Sequence, residues 1–295
     1  MTDVRSTDRL TPAEAAAVLA LAAAADEADG VQPLSEDGVL GLRGDAHRHL
    51  LSTADDGDLA GYAYLSGTSG ELVVHPKHRL RGHGTALLAA AGALLGGDGG
   101  LQFWAHGDEP AARAFAEKAG FTRSRVLWQM RRPLADLPDV PLPADVRVRA
   151  FVPGQDDAAW LGVNSRAFAH HPEQGRWAEG DLRLRFAEPW FDPAGFLLAV
   201  DPADDHLLGF HWTKVHPAEG GEPAIGEIYV LGVDPGGHRR GLGAALSVAG
   251  LRHLGGRGLS HALLYVDESN TAAVALYRRL GFEIHSTDVQ YTRAS

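Results

Sequence analysis

Two short turns in this chain hold the residues best suited to bind a polyanion. Arg79-Leu80-Arg81-Gly82-His83-Gly84 follows the apolar run Glu71-Leu72-Val73-Val74, and His238-Arg239-Arg240-Gly241-Leu242-Gly243 follows Ile228-Tyr229-Val230-Leu231-Gly232-Val233. Each turn leads into an Ala/Leu-rich stretch that reads as a helix. The first turn of a helix presents backbone N–H groups with no intrahelical partner, and its dipole favours an anion there. Glycine lets the backbone approach a diphosphate without a Cβ in the way, and flanking arginines add charge. Strand, basic glycine turn and helix together read as a diphosphate cradle. Its donors are the amides of Arg239 to Ala244 in the second copy and of Leu80 to Thr85 in the first. No G-K-[ST] follows, and the spacing is not G-x-G-x-x-G, so neither a P-loop nor a dinucleotide fingerprint fits.

The elements around the turns repeat. Each copy ends in a Gly-Phe pair, Gly120-Phe121 and Gly281-Phe282, and the stretches from Gly84 and from Gly243 to these pairs are nearly equal. A duplicated domain is the economical reading. In the first half the pattern predicts a helix over 11–26 with Thr11 as cap and Pro12 in its first turn, then a loop holding Leu34 to Gly38. Strands follow at 49–54, 59–65 and 71–74, then a helix at 84–95, a strand at 101–105, a helix at 110–119 and a strand at 126–131. Four prolines between Pro133 and Pro143 predict an extended linker. The domains are therefore expected at 1–139 and 140–295. The second half predicts strands at 146–150, 195–200, 206–215, 227–233, 262–266 and 289–292, with helices at 156–168, 179–186, 243–254 and 271–280.

Composition narrows the function classes. At 295 residues, 45% of them apolar, the chain can bury two cores. A formal net charge of −11 argues against a nucleic-acid partner. Cysteine is absent, which excludes disulfides, thiolate metal sites and a cysteine nucleophile. The Ala-rich stretch after Thr11 is too short and too acidic at its end for a membrane span or signal peptide. The expectation is a cytoplasmic monomer with no membrane partner. The histidines show no H-E-x-x-H spacing; His170-His171 and His47-Arg48-His49 read as surface or pocket residues, and no metal is expected.

The turns resemble the coenzyme A-binding motif [Q/R]-x-x-G-x-[G/A] of the GNAT N-acetyltransferases. The copy at Arg79 fits it, and the second departs at His238, whose backbone N–H can still meet phosphate. Asn270-Thr271-Ala272-Ala273-Val274-Ala275-Leu276-Tyr277-Arg278-Arg279-Leu280-Gly281-Phe282 resembles the last helix of that family. The resemblance implies an α/β (α+β) fold with two tandem domains, each a mixed, mostly antiparallel sheet flanked by helices. It implies acetyl-CoA as cosubstrate, with the pantetheine arm along Leu231, Gly232 and Val233, and the thioester carbonyl near a backbone N–H of that strand. Glycine at 232 marks a bulge or a close backbone approach. Asn270 either binds cofactor or caps its helix, and the resemblance implies that Thr271, Ala272, Ala273, Val274 and Ala275 also contact the cofactor.

Acetyl transfer to an amine requires a neutral amine, a polarised carbonyl and a proton for the leaving thiolate. An α-amine has a pKa of about 8 and a phenol about 10, so a carboxylate and a tyrosine suffice. Glu227 and Tyr277 stand where the family often keeps its base and acid; the alternatives are a strand-end carboxylate and a packing tyrosine. Ungapped superposition of the halves sets Thr68, Ala116 and Glu109 against Glu227, Tyr277 and Asn270. The first half is therefore expected to bind an acyl-CoA through Leu72 to Val74 and Leu80 to Thr85 without catalysing.

Longer strings, among them Phe168-Ala-His-His-Pro-Glu173, Leu208-Gly-Phe-His-Trp-Thr-Lys214-Val-His-Pro and Gln102-Phe-Trp-Ala-His-Gly, resemble the mycothiol synthase family over nearly the whole chain. That resemblance implies transfer of acetyl to the cysteinyl amine of a cysteine–glucosamine–inositol pseudodisaccharide. Glu36, Glu173, Lys214, Glu227 and Tyr265 match its acceptor-holding positions, with Glu36 contributed by the other domain. On residues alone Tyr265 fits a core position as well as a substrate contact. Other readings are a GNAT enzyme for an aminoglycoside or peptide N-terminus, and a non-catalytic acyl-CoA sensor.

Overall fold

The computed structural model describes residues 3–44, 47–95, 100–170, 174–218, 221–237 and 241–294. The chain forms two compact units, Met1–Leu127 with Ser286–Ser295, and Trp128–His285. Among the described residues no helix is long and apolar enough to cross a membrane.

The first unit contains β1 (Val4–Thr7), α1 (Pro12–Asp29), α2 (Glu36–Gly41), β2 (Arg48–Thr53), β3 (Leu59–Ser66), β4 (Ser69–Val74), α3 (His83–Leu94), β5 (Leu101–Ala105) and α4 (Pro110–Lys118). Strands β1 to β4 pair antiparallel in sequence order, β5 joins β4 in parallel, and the end of the chain pairs antiparallel with β5. The pleat of β3 explains the layers. Tyr62 and Tyr64 pack with Val18, Leu21 and Ala25 of α1, whereas Ala63 and Leu65 pack with Leu87, Leu88 and Ala91 of α3. Helix α1 begins with a capping box in which Thr11 and Glu14 satisfy each other's backbone N–H, and it ends at Gly30 in the left-handed conformation.

The second unit contains β7 (Arg147–Ala150), α5 (Asp157–Ala167), α6 (Glu179–Phe186), β8 (Phe196–Val200), β9 (Leu207–His216), β10 (Ile225–Val233), α7 (Leu242–Gly256), β11 (His261–Asp267) and α8 (Thr271–Arg279). Strands β7 to β10 pair antiparallel in sequence order and β11 lies parallel to β10. One face of this sheet packs Phe196, Phe210, Trp212 and Val230 against Trp160 of α5 and Leu182 of α6. The other packs Ile228, Leu264 and Val266 against Val248 and Leu251 of α7 and Val274 and Tyr277 of α8. The remaining strands, β6 (Thr122–Pro133) and β12 (Glu283–Arg293), each begin in one unit and end in the other.

The division therefore falls after Leu127, ahead of the 139/140 boundary that the prolines suggest. The proline segment is no free linker: Leu134 is buried, its N–H donates to Ser260 O at 2.8 Å, and Leu137 and Val140 pack on the core beneath α7. Three further expectations change. Leu34 to Gly38 is not loop throughout, because Ser35 accepts from Gly38 N and caps α2. The closing strand is longer than expected, and β1 carried no legible signal. His47 and His49 are buried rather than on the surface. His47 stacks on Tyr64 at 4.5 Å, and His49 Nδ1 lies 2.8 Å from Tyr62 Oη. Burial lowers the His49 pKa to about 4, so it sits in the core as a neutral ring.

Candidate active site

In each unit two parallel strands start together and part. Pairing of β10 with β11 covers Gly226 to Ile228 against Ala262 to Leu264 and then stops, although β10 runs on to Val233. Pairing of β4 with β5 covers Ser69 to Glu71 against Gln102 to Trp104 in the same way. Beyond the last pair, among the described residues, no strand pairs with the edge of β10 that faces β11. Asp234 N donates to Leu208 O on β9. By strand alternation the N–H of Gly232 turns the same way, and those of Leu231 and Val233 turn to the open edge. An extended amide chain fits such an edge as an added strand.

A bulge sits in β10 between Ile228 and Val230. It turns Tyr229 and Val230 to the same face, so Val230 packs under α5 although Ile228 packs under α7. Of the two readings of Gly232, a bulge or a close approach, the bulge lies elsewhere, at Tyr229, three residues upstream. Gly232 has a different cause: a Cβ there would stand 2.8 Å from Phe210 Cζ and 3.3 Å from Ala167 Cβ.

Glu227 lies on the α5/α6 face, opposite Lys214 of β9 in register. Its side chain is 8% exposed, and its Oε2 lies 2.6 Å from His216 Nε2, on a side chain 36% exposed. Lys214 Nζ stands 4.7 Å above the Trp190 ring and 5.3 Å from that of Tyr229. Tyr229 Oη accepts from Arg185 Nε at 2.6 Å. Tyr265, on β11, is 45% exposed, and its Oη accepts from Gln129 Nε2 at 2.8 Å, so it is not a core residue. Lys214, Glu227 and Tyr265 are thereby brought to one unit, with Glu36 at the start of α2 in the other. Glu173 lies outside the described residues.

Tyr277 lies on the opposite face of the second sheet. It is buried among Ile228, Leu264 and Val274, its ring edge-on to Phe282 at 5.8 Å. Burial pushes its phenol up to about 12 and keeps it protonated at neutral pH. Asn270 caps α8, its Oδ1 accepting from Ala273 N at 3.2 Å; Thr271, Ala272 and Ala275 are exposed along the helix, while Val274 is core.

The cradle of the second unit is the start of α7. Gly241 has φ +85°, and among the described residues a Cβ built on it meets nothing within 4 Å and the nearest atom to a Cβ at Gly243 is 3.9 Å away. The open space and free first-turn amides of Leu242 to Ala244 suit a diphosphate. His238, Arg239 and Arg240 lie outside the described residues. In the first unit Gly82 has φ +94° at the cap of α3, matching Gly241. Its motif arginine serves another purpose: Arg79 donates to both oxygens of Asp29 and to Val74 O, tying the turn to α1. His83 is buried with Nδ1 2.9 Å from Ser52 Oγ, while Leu80 is fully exposed at φ +61°.

Sequence reasoning missed two histidines that contact the buried acids. One is His216, visible only as part of a longer string. The other is His106 in the first unit, whose Nε2 lies 3.1 Å from Glu71 Oε1 and whose Nδ1 lies 3.1 Å from Asp288 Oδ2. Neither spacing along the chain announces these contacts.

Known proteins resemble this chain in both halves. Residues 164–282 match the acetyltransferase (GNAT) family model, and residues 46–123 match an acetyltransferase (GNAT) domain model. The chain is 58% identical to a mycothiol acetyltransferase of Salinispora arenicola over 99% of this chain and 97% of that one. It is 55% identical to the mycothiol acetyltransferase of Streptomyces coelicolor over 96% and 92%. A GCN5-related N-acetyltransferase from Sphaerobacter thermophilus superposes with a TM-score of 0.68 at 28% identity, covering 98% and 95%. A tandem GNAT protein from the clavulanic acid biosynthesis pathway shares the fold, with a TM-score of 0.73 at 22% identity and coverage of 99% and 98%. Two GNAT domains in tandem, with identity above one half across nearly the full length of both chains, make this chain an acyltransferase that belongs to the mycothiol acetyltransferase family.

Proposed function

We propose that the second unit transfers acetyl from acetyl-CoA to the cysteinyl amine of a cysteine–glucosamine–inositol pseudodisaccharide, the step that completes mycothiol. The observation that carries the reading is the placement of a buried carboxylate, Glu227, and a buried phenol, Tyr277, on opposite faces of the sheet beside the end of β10–β11 pairing. Bound acetyl-CoA supplies a thioester carbonyl open to attack by a neutral amine. The amides of Leu242 to Ala244 hold the diphosphate, and Leu231 and Val233 present N–H groups along the open edge of β10. One of these donates to the carbonyl oxygen as negative charge develops there.

Glu227 accepts the amine proton from the α5/α6 face. The work is small, because an α-amine with a pKa of about 8 is partly neutral near pH 7. Tyr277 Oη donates its proton to the leaving sulfur from the α7/α8 face. A phenol at about 12 remains a competent donor there, because the same burial that raises it also raises a thiolate's proton affinity. Lys214 and Tyr265 hold acceptor hydroxyls, a cation donating to them and a phenol exchanging hydrogen bonds. Glu36 and Glu173 are acceptor contacts on family likeness alone.

The test is acetyl-CoA consumption by the purified protein with three acceptors: the pseudodisaccharide, free cysteine and an aminoglycoside. Saturable turnover with the first alone is expected. Turnover with another amine and not the first keeps the chemistry and discards the acceptor. Binding of acetyl-CoA without turnover on any amine favours a sensor.

A further inference from the structure

The buried carboxylate of the second unit has a partner that the reaction scheme leaves idle. His216 ends β9, opposite Ile225 and two residues beyond Lys214, so it lies on the same face as Glu227. Its Nε2 is 2.6 Å from Glu227 Oε2. An ionised carboxylate only accepts, so Nε2–H donates. The contact is asymmetric in exposure: the glutamate is nearly covered and the imidazole is open to solvent. Among the described residues it is Oε2 that carries the side-chain hydrogen bond of Glu227. The short bond restricts how the Glu227 carboxylate can turn, and it leaves the lone pairs of the second oxygen for another partner.

We propose that His216 is the positioning residue of the base: its Nε2–H holds Oε2 of Glu227 so that Oε1 is aimed to take the proton of the acceptor amine. The inference rests on the reading of Glu227 as general base. Through the step the Nε2–H bond stays in place. The amine nitrogen forms its bond to the carbonyl carbon, its proton passes to Oε1, and the C–S bond breaks as sulfur takes the Tyr277 proton. Two observations separate this from packing. His216 is too exposed to be a core residue, and the bond it makes is to the atom pair that does the chemistry. A reacting group left free to rotate loses the advantage of a fixed geometry, and modest misplacement costs about a hundredfold.

The experiment is a double-mutant cycle in the full-length protein, with steady-state kinetics and acetyl-CoA binding measured for each variant. His216→Ala is expected to lower kcat about ten- to a hundredfold with KM for acetyl-CoA within about twofold. His216→Gln, whose amide N–H can replace Nε2–H, is expected to recover most of the loss. In a Glu227→Gln background, His216→Ala is expected to cost nothing more, because a residue acting through Glu227 has nothing left to position. Equal losses in both backgrounds overturn the proposal, as does an unchanged kcat for His216→Ala. Should His216→Ala lose acetyl-CoA binding, His216→Asn, whose amide is too short to reach, takes its place with the same expectations. Failure of the underlying reading looks different: Glu227→Gln alone then leaves kcat intact, or the wild type shows no turnover on the acceptor, and the proposal falls with it.

Discussion

Each unit pairs a buried glutamate of its central strand with a histidine, and the two pairs sit in different surroundings. In the second unit Glu227 bonds to a solvent-exposed His216 through one oxygen. In the first, Glu71 is 1% exposed and both its oxygens are occupied, Oε2 accepting from Ser35 N at 2.8 Å and Oε1 from His106 Nε2. His106 in turn reaches Asp288, whose other oxygen accepts from Gly107 N. Burial alone would push the His106 imidazole down, but hydrogen bonds to Asp288 and Glu71 and the charge of both carry it up to about 10. The first unit thus holds an imidazolium between two carboxylates, closed on itself. Glu71 accepts from a protein donor on each oxygen and is sealed from solvent, so it is not open to a substrate. The difference teaches that, at non-equivalent positions of a duplicated fold, what a buried acid bonds to decides whether it stays open to a ligand or is sealed into the structure.

The comparison can be broken most directly at the two acids. Glu227→Gln is expected to lower kcat about 10²- to 10⁴-fold, the range of a lost general base, with acetyl-CoA binding retained; single-turnover kinetics with a binding isotherm check this. An unchanged rate removes the base from the second unit and the contrast with it.

At the closed cluster the expected effect is on stability. Removing the cation in His106→Ala leaves Glu71 and Asp288 buried without it, at a cost of about 3–5 kcal/mol. The folded pKa of His106 is raised above its ordinary value of 6.5. Its stabilisation is therefore complete below about pH 6.5 and is lost as pH rises through about 10. Urea unfolding of the wild type and His106→Gln between pH 6 and 10 should show the two curves converging as pH rises. Parallel curves would show that His106 is not charged in the fold.

A third test sharpens the chemistry of the second unit. Tyr277→Phe keeps the ring packed against Phe282 and removes the hydroxyl proposed as proton donor. We expect kcat to fall about ten- to a hundredfold with KM for acetyl-CoA unchanged, since the interaction is made mainly in the transition state. The smallest effect separates the two cradles. Valine at either left-handed glycine, Gly241 or Gly82, costs about 1–2 kcal/mol of backbone strain. Gly241→Val should also raise KM for acetyl-CoA about tenfold, and Gly82→Val should leave both kinetic constants within about twofold. A large loss of kcat from Gly82→Val in a folded protein would place the first unit in the reaction.

The sequence by itself determined the duplication, most helices and most strands, because hydrophobic period, caps and glycine turns are local signals, whereas the short α2 was read as loop. Thr11 caps α1 with Pro12 in its first turn as expected, and Gly82 and Gly241 precede their helices as the turns predicted. It also singled out Glu227 and Tyr277, whose distances along the chain from the glycine turn and the Gly-Phe pair are fixed by one strand and one helix. Tertiary structure alone decided the rest. Whether a carboxylate is an available base or a sealed strut depends on which histidine the sheet brings to it. His216 comes from the neighbouring strand, and Asp288 from the far end of the chain beyond β5. The bulge at Tyr229 depends likewise on pairing with β9, because register is a property of two strands and not of one.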